Sequence, residues 1–157
     1  MSLIEIERKF LVKNNRYQTE AHDQHHIRQG FLNSDPNRLV RIRIANQQAY
    51  LTVKGPSDDH LISRFEWEVT VPLNDAEQLF ALCEPGIIKK TRYFVTAETH
   101  TFEVDVFKGD NLGLVIAEIE LQSENENFAR PSWLGDEVTR DTRYYNINLI
   151  QRPFNTW

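Results

Sequence analysis

The chain has 157 residues, 40% of them hydrophobic and 26% charged, enough apolar material for one folded domain spanning 1–157. With 18 Lys+Arg against 23 Asp+Glu, the formal charge of -5 argues against a general nucleic-acid binder. The lone Cys83 excludes an internal disulfide, no apolar run approaches the roughly 18 residues of a membrane helix, and the charged start is unlike a signal peptide, so a soluble cytoplasmic protein is expected.

Period-two alternation dominates the chain, which is the mark of strands with unlike faces. In residues 3–12, Ile4, Ile6, Phe10 and Val12 oppose Glu5, Glu7 and Lys9. A poorer run follows at 26–32. Residues 38–45 set Val40, Ile42 and Ile44 against Arg41 and Arg43, and 49–54 set Leu51 and Val53 against Tyr50, Thr52 and Lys54, with Gly55-Pro56 expected to stop the strand. Residues 63–71 oppose Phe65, Trp67, Val69 and Val71 to Arg64, Glu66, Glu68 and Thr70. A helix is expected from an Asn74 cap to Pro85-Gly86. A second poorer run at 89–96 has Lys90 and Arg92 on one side. Residues 101–107 oppose Phe102, Val104 and Val106 to Glu103 and Asp105, and 114–122 oppose Val115, Ala117, Ile119 and Leu121 to Glu118 and Glu120. Ser123–Glu126 is expected to open a short helical turn, and Asp141–Gln151 to form a last amphipathic helix halted by Pro153. The expected fold is strand-dominated α+β, an eight-stranded antiparallel meander, flat or closed.

The polar faces are the informative part. An ordinary half-exposed sheet also alternates, but its solvent face usually mixes neutral polar residues with charges of both signs. Here strands segregate by sign: acid pairs at Glu5/Glu7, Glu66/Glu68, Glu103/Asp105 and Glu118/Glu120, basic pairs at Arg41/Arg43 and Lys90/Arg92, with Lys9, Lys54 and Arg64 on the same faces. Like charges about 7 Å apart on one face repel unless something of opposite sign lies between them. If the sheet closes with these faces inward, they line a polar lumen, and the apolar faces need covering by helices or by a second subunit, as in a homodimer. A membrane barrel shares this pattern, but the strands read mostly shorter than the roughly 9 residues it needs and Arg8 interrupts the outer band.

Paired carboxylates are hard donors suited to Mg²⁺ or Mn²⁺. The five histidines stand apart from the acid pairs, and His25-His26 reads as a solvated loop. Facing Arg and Lys recognise a polyanion, so acids and bases together imply a metal–phosphate complex, hydrolysed by a water that the metal activates. Gly109-Asp110-Asn111-Leu112-Gly113 lacks the Lys-Ser/Thr of a phosphate loop, and no Ser-His-Asp motif is present.

Glu5-Ile6-Glu7-Arg8-Lys9 resembles the ExExK signature of the CYTH superfamily, the triphosphate tunnel metalloenzymes. Arg41-Ile42-Arg43, Thr52-Val53-Lys54-Gly55, Arg64-Phe65-Glu66-Trp67-Glu68, Lys90-Thr91-Arg92-Tyr93, Glu103-Val104-Asp105 and Glu118-Ile119-Glu120 follow in the family's order. The resemblance implies a closed eight-stranded antiparallel barrel and is nearest to short bacterial members that hydrolyse inorganic tripolyphosphate with Mg²⁺ or Mn²⁺. It implies that Lys9, Arg41, Arg43, Lys54, Arg64, Lys90 and Arg92 hold phosphate and that Glu5, Glu7, Glu118 and Glu120, with Lys9, do the catalytic work. Glu5, Glu7, Glu66, Glu68, Asp105, Glu118 and Glu120 are the implied metal donors. Asp141-Thr142-Arg143-Tyr144-Tyr145-Asn146 resembles the segment before the family's C-terminal helix, so Arg143 is expected at the tunnel mouth as a further phosphate contact. In Gln29-Gly30-Phe31-Leu32, Phe31 stands where similar members often have Tyr. Adenylyl cyclase, thiamine or nucleoside triphosphatase, and non-catalytic polyphosphate binding are the rival activities. Trp67, the tempting aromatic platform, lies by parity outside the lumen.

Overall fold

The computed structural model describes residues 3–157; Met1 and Ser2, part of the start read as unlike a signal peptide, lie outside the described residues. Nine strands form one antiparallel sheet: β1 (Ile4–Val12), β2 (Asp23–Asn33), β3 (Leu39–Ala45), β4 (Gln48–Ser57), β5 (Ser63–Val71), β6 (Ile88–Ala97), β7 (His100–Phe107), β8 (Val115–Glu120) and β9 (Leu134–Glu137). Their order is β5-β4-β3-β2-β6-β7-β8-β1-β9, and β5 also pairs with β1, which closes the first eight into a barrel. One edge of β1 is shared. Ile4–Ile6 pair with β5, and further along the strand Phe10 and Val12 pair with β9. The β1–β5 pairing is short, three residues on each strand, yet it is enough to join the two ends of the sheet.

Alternation then decides the two faces. The outer face of β1, β6, β7 and β8 is covered by helix α1 (Arg16–Glu20) and the segment leading to β9. Phe10, Phe102, Val104 and Ile119 pack there with Tyr17 and Trp133. Helix α2 (Leu73–Phe80) lays Ala76, Leu79 and Phe80 over Ile42, Ile44 and Ala49 of β3 and β4. A third cluster lies inside the barrel. At one end the inward positions turn apolar at Leu11, Ile88, Phe107 and Ile116, and Leu149 of helix α3 (Asn146–Gln151) plugs it with Tyr144. On the outer face Ile4, Phe65, Trp67 and Val69 form an exposed strip.

Several expectations need correction. β4 does not stop at Gly55-Pro56; it runs on to Ser57 through a register shift, where a missing proline N–H does little harm. β2, β4 and β6 have 11, 10 and 10 residues, so strand length does not separate this barrel from a membrane one; the packed outer layers do. Asn74 does not cap α2, which starts after Pro72 with no side-chain cap. Ser123–Glu126 makes a turn rather than a helix, with the Glu126 carboxylate accepting from the Gln122 N–H. The expected Asp141–Gln151 helix is broken at Tyr145, whose backbone is extended between a 3₁₀ turn at Thr142–Tyr144 and α3. Helix α1 and strand β9 went unforeseen. No helix among the described residues is long and apolar enough to cross a membrane.

The covered and bare outer faces should differ in energetic weight. Phe102 is wholly buried, edge-on to Trp133 at 5.3 Å between ring centres. We expect Phe102→Ala to lower the unfolding free energy by about 3–5 kcal/mol. Trp67→Ala, at a position 41% exposed, should cost no more than about 1 kcal/mol. Urea unfolding of both variants checks this; equal losses would overturn the assignment of the two faces.

Candidate functional site: a charged tunnel

The inward side chains surround a cavity of about 370 Å³. Glu5, Glu7, Lys9, Arg41, Arg43, Lys54, Arg64, Glu66, Glu68, Lys90, Arg92, Glu103, Glu118 and Glu120 all line it, drawn from seven of the eight barrel strands. The sign segregation of the strands survives closure, so the cavity has cationic and anionic sides.

The cationic side is short of partners. Arg41 and Arg43 both approach Glu68, at 3.4 and 3.5 Å, and Arg41 also donates to Thr52 Oγ1 at 3.1 Å. The Nε donor of each guanidinium is buried and has no hydrogen-bond partner among the described residues. Burial pushes Arg43 down to about 10, helped by the Arg41 and Arg92 charges, though it remains a cation at neutral pH. Lys54 sits 3.2 Å from both Glu5 and Glu66. Arg64 donates to the Gly55 carbonyl at 2.9 and 2.7 Å and to that of Pro36 at 3.2 Å, so it clamps the irregular end of β4 while it lines the cavity.

The anionic side is crowded with its own charge. Burial and the charges of Glu118 and Glu5 push Glu7 up to about 7, against the pull of Lys9. Glu7 lies opposite Glu120 in the β1–β8 register. Burial and the nearby Glu5, Glu103 and Glu7 raise Glu120 as well. Burial raises Glu5 despite Lys54. Glu118 differs: burial alone would raise it, but Lys9, Arg92 and Lys90 hold it well below the carboxylate range. Lys9 joins Glu7 and Glu118, at 2.9 Å each. The two sides therefore meet at Lys9 and Glu118, at Lys54 between Glu5 and Glu66, and at Glu68 below Arg41 and Arg43, while Glu120 has no ion pair among the described residues.

Deeper in, Lys90 is almost inaccessible, 2.8 Å from Asp105, and burial pushes it down to about 8. Arg92 forks onto Asp105 at 2.7 and 2.9 Å and also pairs with Glu103. Asp105, expected among the metal donors, does not line the cavity. It is fully buried, and both its oxygens are engaged by Arg92 and Lys90.

Arg143 also departs from expectation. It is turned outward, bonded to Asp141 and stacked over Trp157, because the break at Tyr145 sends the neighbouring residues in opposite directions. Tyr145 and Asn146 reach the cavity in its place. The Tyr145 ring lies 5.6 Å from Lys9 Nζ. His25 and His26 belong to strand β2 rather than a loop. His25, Phe94 and Tyr50 line one end of the cavity, His25 edge-on to Phe94 at 4.7 Å. Tyr50 shares the parity of Lys54, and Phe94 that of Lys90 and Arg92, which places both rings inward. Trp67 faces out, as parity requires.

A metal fits this donor set only in part. Among the described residues no three His, Cys, Asp or Glu side chains converge on one point as a ready-made cage. Glu5, Glu7 and Glu120 are all short of positive charge and supply only oxygen. That suits a hard divalent cation sharing one or two carboxylates with water and a phosphate ligand.

A family model for the CYTH domain matches residues 3–154. The chain belongs to the CYTH domain family. Over 154 residues it is 46% identical to the inorganic triphosphatase of Acetivibrio thermocellus, covering 98% of this chain and 97% of that one. The inorganic triphosphatase of Nitrosomonas europaea is 34% identical over 154 residues, with 94% and 97% covered. A crystal structure of an inorganic triphosphatase superposes on this CYTH domain with a TM-score of 0.65 at 32% identity, covering 93% of each chain. A Hippeastrum protein with a TM-score of 0.59 and 12% identity, covering 76% of this chain and 80% of its own, shares the fold.

The raised Glu7 has a consequence for stability. Its ordinary value is 4.5 and its folded value about 7. Across that window the folded CYTH domain keeps a proton that the unfolded chain gives up, so on this account stability falls as pH rises. Glu7→Gln should therefore raise the melting temperature of the ligand-free protein at pH 8 and leave it nearly unchanged at pH 4. Thermal melts at the two pH values check the sign; equal shifts at both would remove the assignment.

Proposed function

We propose that this CYTH domain hydrolyses inorganic tripolyphosphate inside its tunnel, with Mg²⁺ or Mn²⁺ as cofactor. The supporting observation is the pair of buried guanidinium Nε donors of Arg41 and Arg43, unpartnered and beside a wall of acids short of cations. Buried polar groups are ordinarily satisfied, and a polyphosphate is the ligand whose oxygens would satisfy these. The names of the two relatives point the same way. This reading takes residues 1–157 as one tunnel domain, working in the cytoplasm on a small-molecule triphosphate.

In this reading Arg41, Arg43, Lys54, Lys90 and Arg92 bind and orient the phosphate chain, and Arg64 adds its remaining charge. Glu5, Glu7 and Glu120 hold the divalent cation, with Glu66, Glu68 and Glu118 keeping neighbouring cations in place. When bound, the cation neutralises phosphate charge and makes nearby water more acidic. Glu7, on the same wall, can accept the proton that water loses on attacking phosphorus. Lys9 and Lys90 stand where they can neutralise charge on the departing phosphate. At the deep end, where Lys90, Arg92 and Glu118 are buried, fixed charges act at reduced dielectric.

A second reading has its own observation. His25, Tyr50 and Phe94 line one end of the same cavity, which favours an organic triphosphate carrying a ring, as a nucleoside or thiamine triphosphatase or an adenylyl cyclase would require. A protein that only binds polyphosphate would need the cations but gains little from raised acids. Phosphate release from tripolyphosphate, ATP and thiamine triphosphate with Mg²⁺ or Mn²⁺ separates these. We expect tripolyphosphate to be the best substrate and activity to vanish in excess chelator; full turnover in chelator would remove the metal. Arg43→Ala should raise KM about 10- to 100-fold, the weight of one charge-assisted contact. Glu7→Gln should instead lower kcat far more than it changes KM.

A further inference from the structure

The C-terminal segment reaches the tunnel through one amide whose orientation is fixed by its neighbours. Asn146 Oδ1 accepts from Lys90 Nζ at 2.8 Å and from Gln29 Nε2 at 2.9 Å. An ammonium can only donate, so the atom facing Lys90 must be the oxygen of Asn146. Gln29 must then present its NH₂ to that oxygen. It does so although its own Oε1 is left buried without a partner. Both donors thus lock the amide one way round, and its other end is settled by default. Asn146 lines the cavity, and its Nδ2 has no protein partner among the described residues.

We propose that Asn146 is a substrate-binding residue of the tunnel, presenting its Nδ2 hydrogens to a phosphate oxygen while its Oδ1 holds Lys90 in place. This rests on the triphosphate reading above and adds to it a neutral donor supplied from outside the barrel strands. The fixed orientation makes the role specific. An amide accepts from a lysine through its oxygen and donates to an anion through its nitrogen, at two separate fixed positions; a carboxylate of the same shape keeps the first contact and turns the second into repulsion. Tyr145 joins the same edge, its ring over Lys9. The break that sends Arg143 outward is what brings this pair of residues inward.

The test uses the full chain and three variants. Asn146→Asp keeps the acceptor for Lys90 and Gln29 and is nearly isosteric, so its melting temperature without ligand should match the parent. Its KM for tripolyphosphate should rise at least tenfold, and the rise in melting temperature produced by tripolyphosphate with Mg²⁺ should shrink. Asn146→Ala loses both contacts and should lower kcat as well as raise KM. Asn146→Ser, smaller and still a donor, covers the case in which the aspartate variant folds poorly, and should bind more tightly than the alanine variant. If Asn146→Asp, or failing it Asn146→Ala, binds and turns over tripolyphosphate as the parent does, the Nδ2 contact is wrong and the triphosphate reading stands. A parent that binds no polyphosphate overturns both together. Arg43→Ala, run alongside, shows that the assay registers the loss of a phosphate contact.

Discussion

Like charges held close together in a closed space are the constraint on which the rest of this structure depends. An open sheet could carry Arg41 beside Arg43, or Glu5 beside Glu7, with water screening each pair at little cost. Closure through the β1–β5 pairing removes most of that water. The protein answers with ion pairs along and between neighbouring strands where geometry allows: Lys9 between Glu7 and Glu118, Lys54 between Glu5 and Glu66, Arg92 against Asp105 and Glu103. Among the described residues these leave the Arg41 and Arg43 Nε donors unpartnered, Glu120 without an ion pair, and Glu7 sharing Lys9 with Glu118. The remaining imbalance has opposite signs on the two sides, which is the condition for a cation and a polyanion to bind together.

Apolar packing makes that strain tolerable. Three clusters hold the barrel, two outside and one within. The inner one matters most for the site, because it ends the polar part of the tunnel. Beyond Lys9, Lys90, Asp105 and Glu118, the next inward residues are Leu11, Ile88, Phe107 and Ile116, closed by Leu149 and Tyr144. Lys90 and Asp105 therefore sit at a boundary between charge and hydrocarbon, which is why both are so deeply buried and why they pair. The same plug brings Asn146 to Lys90, so the apolar seal and the polar contact come from one short piece of chain.

Much of this was legible in the sequence, because the period of two is a strong signal and the faces it defines are chemically unlike. Which side of the wall each charge occupies follows from parity alone, and the structure agrees for Glu5 through Glu120. Depth along the tunnel does not follow from parity. Asp105 has the right parity to be a ligand, yet its level places it behind two cations. Arg143 failed for a different reason: an apolar pattern over 141–151 reads as one helix, while Tyr145 is extended and reverses which residues face inward. Pro56 shows a third limit, since a register shift lets a strand pass a residue that ordinarily ends it. His25 was missed because a histidine pair among polar neighbours resembles a loop until the β2–β6 pairing is known.

The segregation of sign by strand argues for a bound metal–phosphate complex rather than for stability. If the tunnel charges served only to hold the barrel together, alternate signs on neighbouring strands would do it better, with each acid beside a base. The register does set Glu5 beside Arg64, Lys9 beside Glu118, Lys54 beside Glu66 and Arg92 beside Asp105, but it also places Glu7 against Glu120 and Glu103 beside Glu118, like charges on neighbouring strands, at a cost in the empty protein. Hydrophobic side chains of similar size would be at least as stabilising as buried ion pairs in such positions. An arrangement that is poor for the empty barrel is accounted for by the filled one. With a cation among Glu5, Glu7 and Glu120 and phosphate oxygens against Arg41 and Arg43, each repulsive pair gains the counter-charge that the fold withholds.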